Sequence, residues 1–160
     1  MIAGPLIDRL PAVLRAVPYA GSRFPGSAAV AARPDPAAGA NCQLYAYAVL
    51  HHFGLLAPPL RSGELWADTR STVRVDRARL LDLMLFNNGP DPYGAHVGVR
   101  TDDGRVLHLC AEVGRPAVWS LADLAVRERY RTLVGVKRVT VRRAPPAPGS
   151  GVVTGTSSDR

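Results

Sequence analysis

An α+β domain, with helices first and an antiparallel sheet after them, is what this 160-residue sequence predicts. Three observations carry that reading. Apolar residues recur at helical spacing up to about residue 66. Beyond residue 80 the pattern changes to strand-length apolar runs divided by turn-rich stretches. No internal repeat and no glycine-rich phosphate loop interrupts the series.

Taken in order, Leu6, Leu10, Val13, Leu14 and Val17 fit an amphipathic lead-in helix over residues 1–17, with Pro11 opening a second turn or splitting it. From Pro18 to Ala40 the composition turns to Gly, Pro, Ser and Ala, which predicts a loop. Leu44, Tyr47, Ala48 and Leu50 then recur as on a helix, with Asn41 as its N-cap and Gly54 where it would stop. Pro58 and Pro59 turn the chain, and Ser62 to Trp66 is expected as a short helix capped by Ser62.

The sheet begins at Leu81-Asp82-Leu83-Met84-Leu85-Phe86 and is followed, after Asn87-Asn88-Gly89-Pro90, by Ala95 to Arg100. Asp102-Asp103-Gly104 is a hairpin turn leading to Arg105–Cys110, and Ala117-Val118-Trp119 is a fourth short strand. Ser120 caps a helix carrying Leu121 and Leu124, and Thr132 to Val139 is the last strand. One domain over residues 18–143 is expected behind the lead-in, with a disordered tail over 144–160, which is too polar and too rich in Pro and Gly to pack.

Composition narrows the function. A net charge of +7 permits an anionic partner, but the arginines are scattered, lack aromatic interleaving, and leave Lys137 as the single lysine. We expect no nucleic-acid partner. Residues 1–9 show neither a basic region nor a long apolar run, and Asp8 and Arg9 break what apolar character there is; no signal peptide, no membrane span and a cytoplasmic location are the expectation. Two cysteines do not make a disulfide framework, which suits a reducing compartment.

Cys42 stands in the first turn of the predicted central helix, where unpaired N–H groups and the positive end of the dipole favour a thiolate. Cysteine also fills space in cores, so a nucleophile needs an imidazole partner. His51 and His52 close the central helix and suit a capping role. His96 opens one strand and His108 lies near the end of its hairpin partner; 108 minus 96 is even, so a regular register puts both on one face. An imidazole base oriented by a second polar side chain is what a cysteine nucleophile requires. Zinc would need more compact ligands than Cys42, Cys110, His96, His108 and the Asp102-Asp103 pair provide, and no metal or other cofactor is expected. Tyr19 could line a site or pin its loop to the core.

With those residues in hand, the sequence resembles the NlpC family of papain-like cysteine peptidases from about Tyr19 to Val139. The resemblance rests on Cys42-Gln43-Leu44 with Tyr47 and Gly54 for the helix, Asp82-Leu83-Met84-Leu85-Phe86 for the strand, His96-Val97-Gly98-Val99 for the base motif and Leu107-His108 for the orienting position. It implies a papain-like fold, Cys42 as nucleophile, His96 as general base and acid, His108 as orienter, and Tyr19, Asn41 and Gln43 at the substrate. An oxyanion would be held by the Cys42 backbone N–H and a donor near Tyr19.

The family's Asp-Cys-Ser reads Asn41-Cys42-Gln43 here. A neutral amide cannot pair with a substrate ammonium, an interaction worth roughly 1.5 to 3 kcal/mol, and this points away from the usual wall-peptide stem. The implied activity is hydrolysis of an amide in a small peptide or acyl-amide through a thioester. Acyl transfer by the same Cys-His site, or a non-catalytic binding module on the fold, stand as alternatives. The oligomeric state is not legible.

Overall fold

Alternation along β2 to β4 sorts the sheet into two faces, and the two faces build two cores; the last strand breaks the alternation with a register shift opposite Leu85 and Phe86. The computed structural model describes residues 4–144. Six strands form one antiparallel sheet: β1 (Thr72–Val75), β2 (Leu83–Asn87), β3 (His96–Arg100), β4 (Val106–Leu109), β5 (Pro116–Trp119) and β6 (Thr132–Val139), in the order β1-β6-β2-β3-β4-β5. The expected meander is β2 to β5. The last strand returns to the other side of β2, and β1 covers its far edge.

Leu83, Leu85, Val97, Val99, Leu107 and Leu109 pack on one face against the central helix α3 (Cys42–His52), whose Val49 and Leu50 are fully buried. Each such side chain contributes roughly 1.5 to 3 kcal/mol over its exposed state. Tyr45 and Tyr47 fix this helix from both sides, their hydroxyls donating to Leu14 O at 2.8 Å and Leu60 O at 2.7 Å. Met84, Phe86, Val106, Cys110 and Val136 face the other way and are covered by Leu124 and Tyr130.

Several boundaries differ from expectation for identifiable reasons. The lead-in is not one helix. It forms a 3-10 turn at Leu6–Arg9 and α1 (Ala12–Arg15), divided at Pro11, and Leu6, Leu10, Leu14 and Val17 join the same core as α3.

The segment 18–40 contains α2 (Ala28–Ala32) and a 3-10 turn at Pro36–Ala38. It wraps around the buried Arg23, whose guanidinium donates to the carbonyls of Gly39, Ala29, Arg33 and Asp35. A cation bonded to four carbonyls replaces the sheet pairing this loop lacks.

Ser62 is the first residue of α4 (Ser62–Ala67) and is buried, so it is not the cap; Arg61 holds that position, and the Glu64 side chain accepts from its backbone N–H at 3.2 Å. The strand expected from Leu81 starts at Leu83, because Leu81 adopts φ 72° and the chain turns there. The edge strand β1 was not expected from the sequence. α5 (Leu121–Ala125) is capped by Ser120 as predicted.

No helix among the described residues is long and apolar enough to cross a membrane. Residues 145–160, where almost all of the expected tail falls, lie outside the described residues.

Candidate active site

Asn41 begins the site. Its side-chain oxygen accepts from the Leu44 N–H at 2.9 Å, so the chain enters α3 with Cys42 as the first helical residue. Cys42 is half-buried, and backbone N–H groups of Val97, Gln43 and Cys42 face its sulfur. Val97 is the residue after His96, so the tip of α3 meets the first residues of β3.

His96 and His108 project from the sheet face opposite α3. Val99 pairs with Leu107 and Arg100 with Val106, which makes His108 the partner of Gly98 and a diagonal neighbour of His96. His96 Nε2 and His108 Nδ1 lie 2.8 Å apart, with the rings nearly perpendicular at 86°. Gly98 between them is obligatory: a Cβ there would stand 2.3 Å from Val106 Cγ1 and 3.4 Å from His108 Cβ.

The His96–His108 contact needs one ring nitrogen to donate and the other to accept. His108 Nε2 is buried and has no oxygen or nitrogen partner among the described residues, while the Trp119 ring stands T-shaped to His108 with centroids 4.3 Å apart. Placing the proton on His108 Nε2 makes its Nδ1 an acceptor, so His96 Nε2–H donates and His96 Nδ1 is left free to take a proton. This is the tautomer a base needs.

Outside this pair, Arg127 stacks over Trp119 at 3.8 Å and binds Glu112 through two nitrogens at 2.8 and 2.9 Å. The His96 ring also lies 4.5 Å from that of Tyr130.

Electrostatics correct one expectation. The tip of α3 was expected to favour the thiolate, but burial pushes the Cys42 thiol above its ordinary pKa, against the pull of the three N–H groups and the charge of Arg61. Burial, with the charges of His108 and Arg129 behind it, lowers His96 to about 3. His108 is lowered to about 4 by burial and Arg127, with Glu112 acting the other way. Burial thus favours the neutral form of the thiol and of both imidazoles alike.

Tyr19 lies far from Cys42 in sequence but is stitched beside Asn41. Ala20 N–H donates to Ala40 O at 2.9 Å, Ala40 N–H to Pro18 O at 3.1 Å, and Tyr19 N–H to Gly114 O at 2.9 Å. The backbone donors of Tyr19 and Ala20 are thus committed, which leaves the Tyr19 hydroxyl as the group of this residue able to donate. Burial and the nearby Cys42 raise its pKa, so it stays protonated. Gln43 is 3% exposed, and its Oε1 has no partner among the described residues. Of the other imidazoles, His51 Nε2 contacts Ala57 O at 3.0 Å and His52 packs on Phe53. Among the described residues, no group of three His, Cys, Asp or Glu is placed to hold a metal ion.

Trp119, Arg127, Arg129 and Tyr130 were missed by sequence reasoning as parts of this site. The signal available was a run of alternating charge ending in an aromatic, Arg127-Glu128-Arg129-Tyr130, just before the last strand.

No family model and no curated protein matches this chain. The resemblance to NlpC peptidases accordingly stands on the motifs around Cys42, His96 and His108.

Proposed function

We propose that this chain is an NlpC-like, papain-type thiol hydrolase that cleaves an amide bond in a small peptide or acyl-amide. The observation that supports it best is the buried His96–His108 pair at 2.8 Å, on a strand whose next N–H faces the half-open Cys42 thiol.

In this reading His96 Nδ1 takes the thiol proton as sulfur attacks the carbonyl, and the resulting imidazolium is stabilised by its Nε2–H donating to His108 Nδ1. The Cys42 backbone N–H and the Tyr19 hydroxyl serve the oxyanion. His96 then returns the proton to the leaving nitrogen, and water, deprotonated by His96, releases the acyl group. Gln43 supplies an acceptor for a substrate N–H. Both cysteines are free, and a working thiol suits a reducing compartment, so we place the activity in the cytoplasm.

The test uses a library of short peptides and N-acyl amino acids followed by mass spectrometry. Turnover of at least one member by the wild type, an acyl adduct on Cys42, and no turnover by a folded Cys42→Ala variant are expected. Turnover that survives in Cys42→Ala, or iodoacetamide labelling Cys42 and Cys110 equally slowly, overturns the reading.

A further inference from the structure

Arg129 lies beside the candidate site, next to the Tyr130 hydroxyl and within electrostatic reach of Glu112. It is exposed at the 3-10 turn Glu128–Tyr130, and among the described residues it has no acidic partner within ion-pair distance. Its guanidinium carbon lies 5.8 Å from the centroid of the Tyr130 ring, and the other neighbour of that ring is His96 at 4.5 Å. The guanidinium is thus one aromatic ring away from the imidazole that hands a proton to the leaving nitrogen.

It also lines an open cleft of about 520 Å³ with Asn88, Glu112, Arg127 and Glu128. Glu112 and Arg127 neutralise one another there. Glu128 is exposed at the same turn, and the charge of Arg129 reaches His96, Tyr19 and Tyr130. On the sulfur side the charge that reaches Cys42 is another cation, Arg61, which stacks on Phe24 at 4.1 Å.

We propose that Arg129 binds a carboxylate carried by the amine half of the substrate, the half that departs on the His96 side. This deepens the thiol-hydrolase reading and rests on it. The substrate class is an amide whose leaving group is an amino acid with a free carboxylate. In the step concerned a carbon–sulfur bond forms as the carbon–nitrogen bond breaks. The thiol proton passes through His96 to the nitrogen, the amino acid leaves, and no electrons are gained or lost. Guanidinium and carboxylate match in a two-pronged geometry that a lone ammonium would not provide.

Iodoacetate and iodoacetamide test this without a known substrate, because they alkylate the same sulfur and differ in a carboxylate. The ratio of their Cys42 labelling rates is measured for the wild type, Arg129→Gln, Arg129→Lys and the control Arg70→Gln, which removes a cation elsewhere. The expected result is a fall in the iodoacetate-to-iodoacetamide ratio of about 3- to 10-fold in Arg129→Gln, partial retention in Arg129→Lys and no change in Arg70→Gln. An unchanged ratio in Arg129→Gln overturns the carboxylate site while the thiol site stands, and an equal fall in Arg70→Gln reduces the effect to net charge and overturns it too. Labelling of Cys42 no faster than Cys110 removes both readings together.

Discussion

His96 Nε2 and His108 Nδ1 are 2.8 Å apart across β3 and β4, and the nitrogen of His108 beyond that contact reaches no oxygen or nitrogen among the described residues. The pair is held from outside by Trp119 and Arg127. In the reaction we propose, His108 fixes how His96 is turned. His108→Ala is expected to lower the iodoacetamide labelling rate of Cys42 at pH 7 by about 10- to 100-fold, the usual cost of losing an orienting partner. His108→Gln, whose carbonyl oxygen can accept from His96 Nε2–H, should restore part of it. Equal rates in the wild type and both variants would remove His108 from the site.

Acid should destabilise this protein earlier than carboxylate titration alone would. His96 is lowered to about 3 and His108 to about 4 from 6.5, chiefly by burial. Between those values and 6.5 the unfolded chain binds protons that the native chain does not, so stability rises with pH through that window and is lost as pH falls from 6.5. The urea midpoint should drop steadily from pH 6.5 to 4 in the wild type and more gently in His96→Gln/His108→Gln. Parallel slopes would contradict the buried neutral pair.

The raised thiol pKa has its own signature. Burial holds Cys42 protonated, so the iodoacetamide rate should climb through pH 8 and beyond the point where an ordinary thiol levels off. A flat rate from pH 4 to 8 would instead mean a preformed thiolate–imidazolium pair.

Gly98→Ala places a methyl group 2.3 Å from Val106 Cγ1. β3 and β4 cannot separate without losing the pairing of Val99 with Leu107, so the strain remains. A loss of about 1 to 3 kcal/mol in urea unfolding is expected, with slower Cys42 labelling as His108 is pushed away. Wild-type values for both would show that the strands yield freely.

Asp82 is 2% exposed, and both its oxygens accept from Arg138, at 2.9 and 2.8 Å. This bidentate pair joins the start of β2 to the end of β6. Arg138→Ala leaves the carboxylate buried with the Arg79 N–H as its remaining partner. A cost of about 2 to 3 kcal/mol is expected, less than for a sealed pair because Arg138 is itself partly exposed. Asp82→Asn/Arg138→Ala should recover some of it by removing the stranded charge.

Much of this was legible in the sequence because it depends on local rules. Asn41 caps α3, Ser120 caps α5, Thr132 to Val139 form β6, and the even spacing of His96 and His108 put them on one face. What failed depends on contacts that spacing does not encode. The helical turns of residues 18–40 exist because the Arg23 guanidinium gathers their carbonyls. β1 is four residues long and is recruited by β6, with Thr72 opposite Val139. Helix-dipole logic spoke for a thiolate at Cys42, but the desolvation that opposes it comes from packing against β3. Trp119, Arg127 and Tyr130 reach the imidazoles only once α5 has folded over the second sheet face.

Trp119 has the Arg127 guanidinium 3.8 Å from its ring centroid and the His108 imidazole 4.3 Å away, centroid to centroid. An indole in that position is a built-in optical gauge, since its emission dims when the adjoining ring acquires a positive charge. An acid titration followed by fluorescence would thus read proton uptake deep in the sheet directly, with no label attached and no substrate in hand.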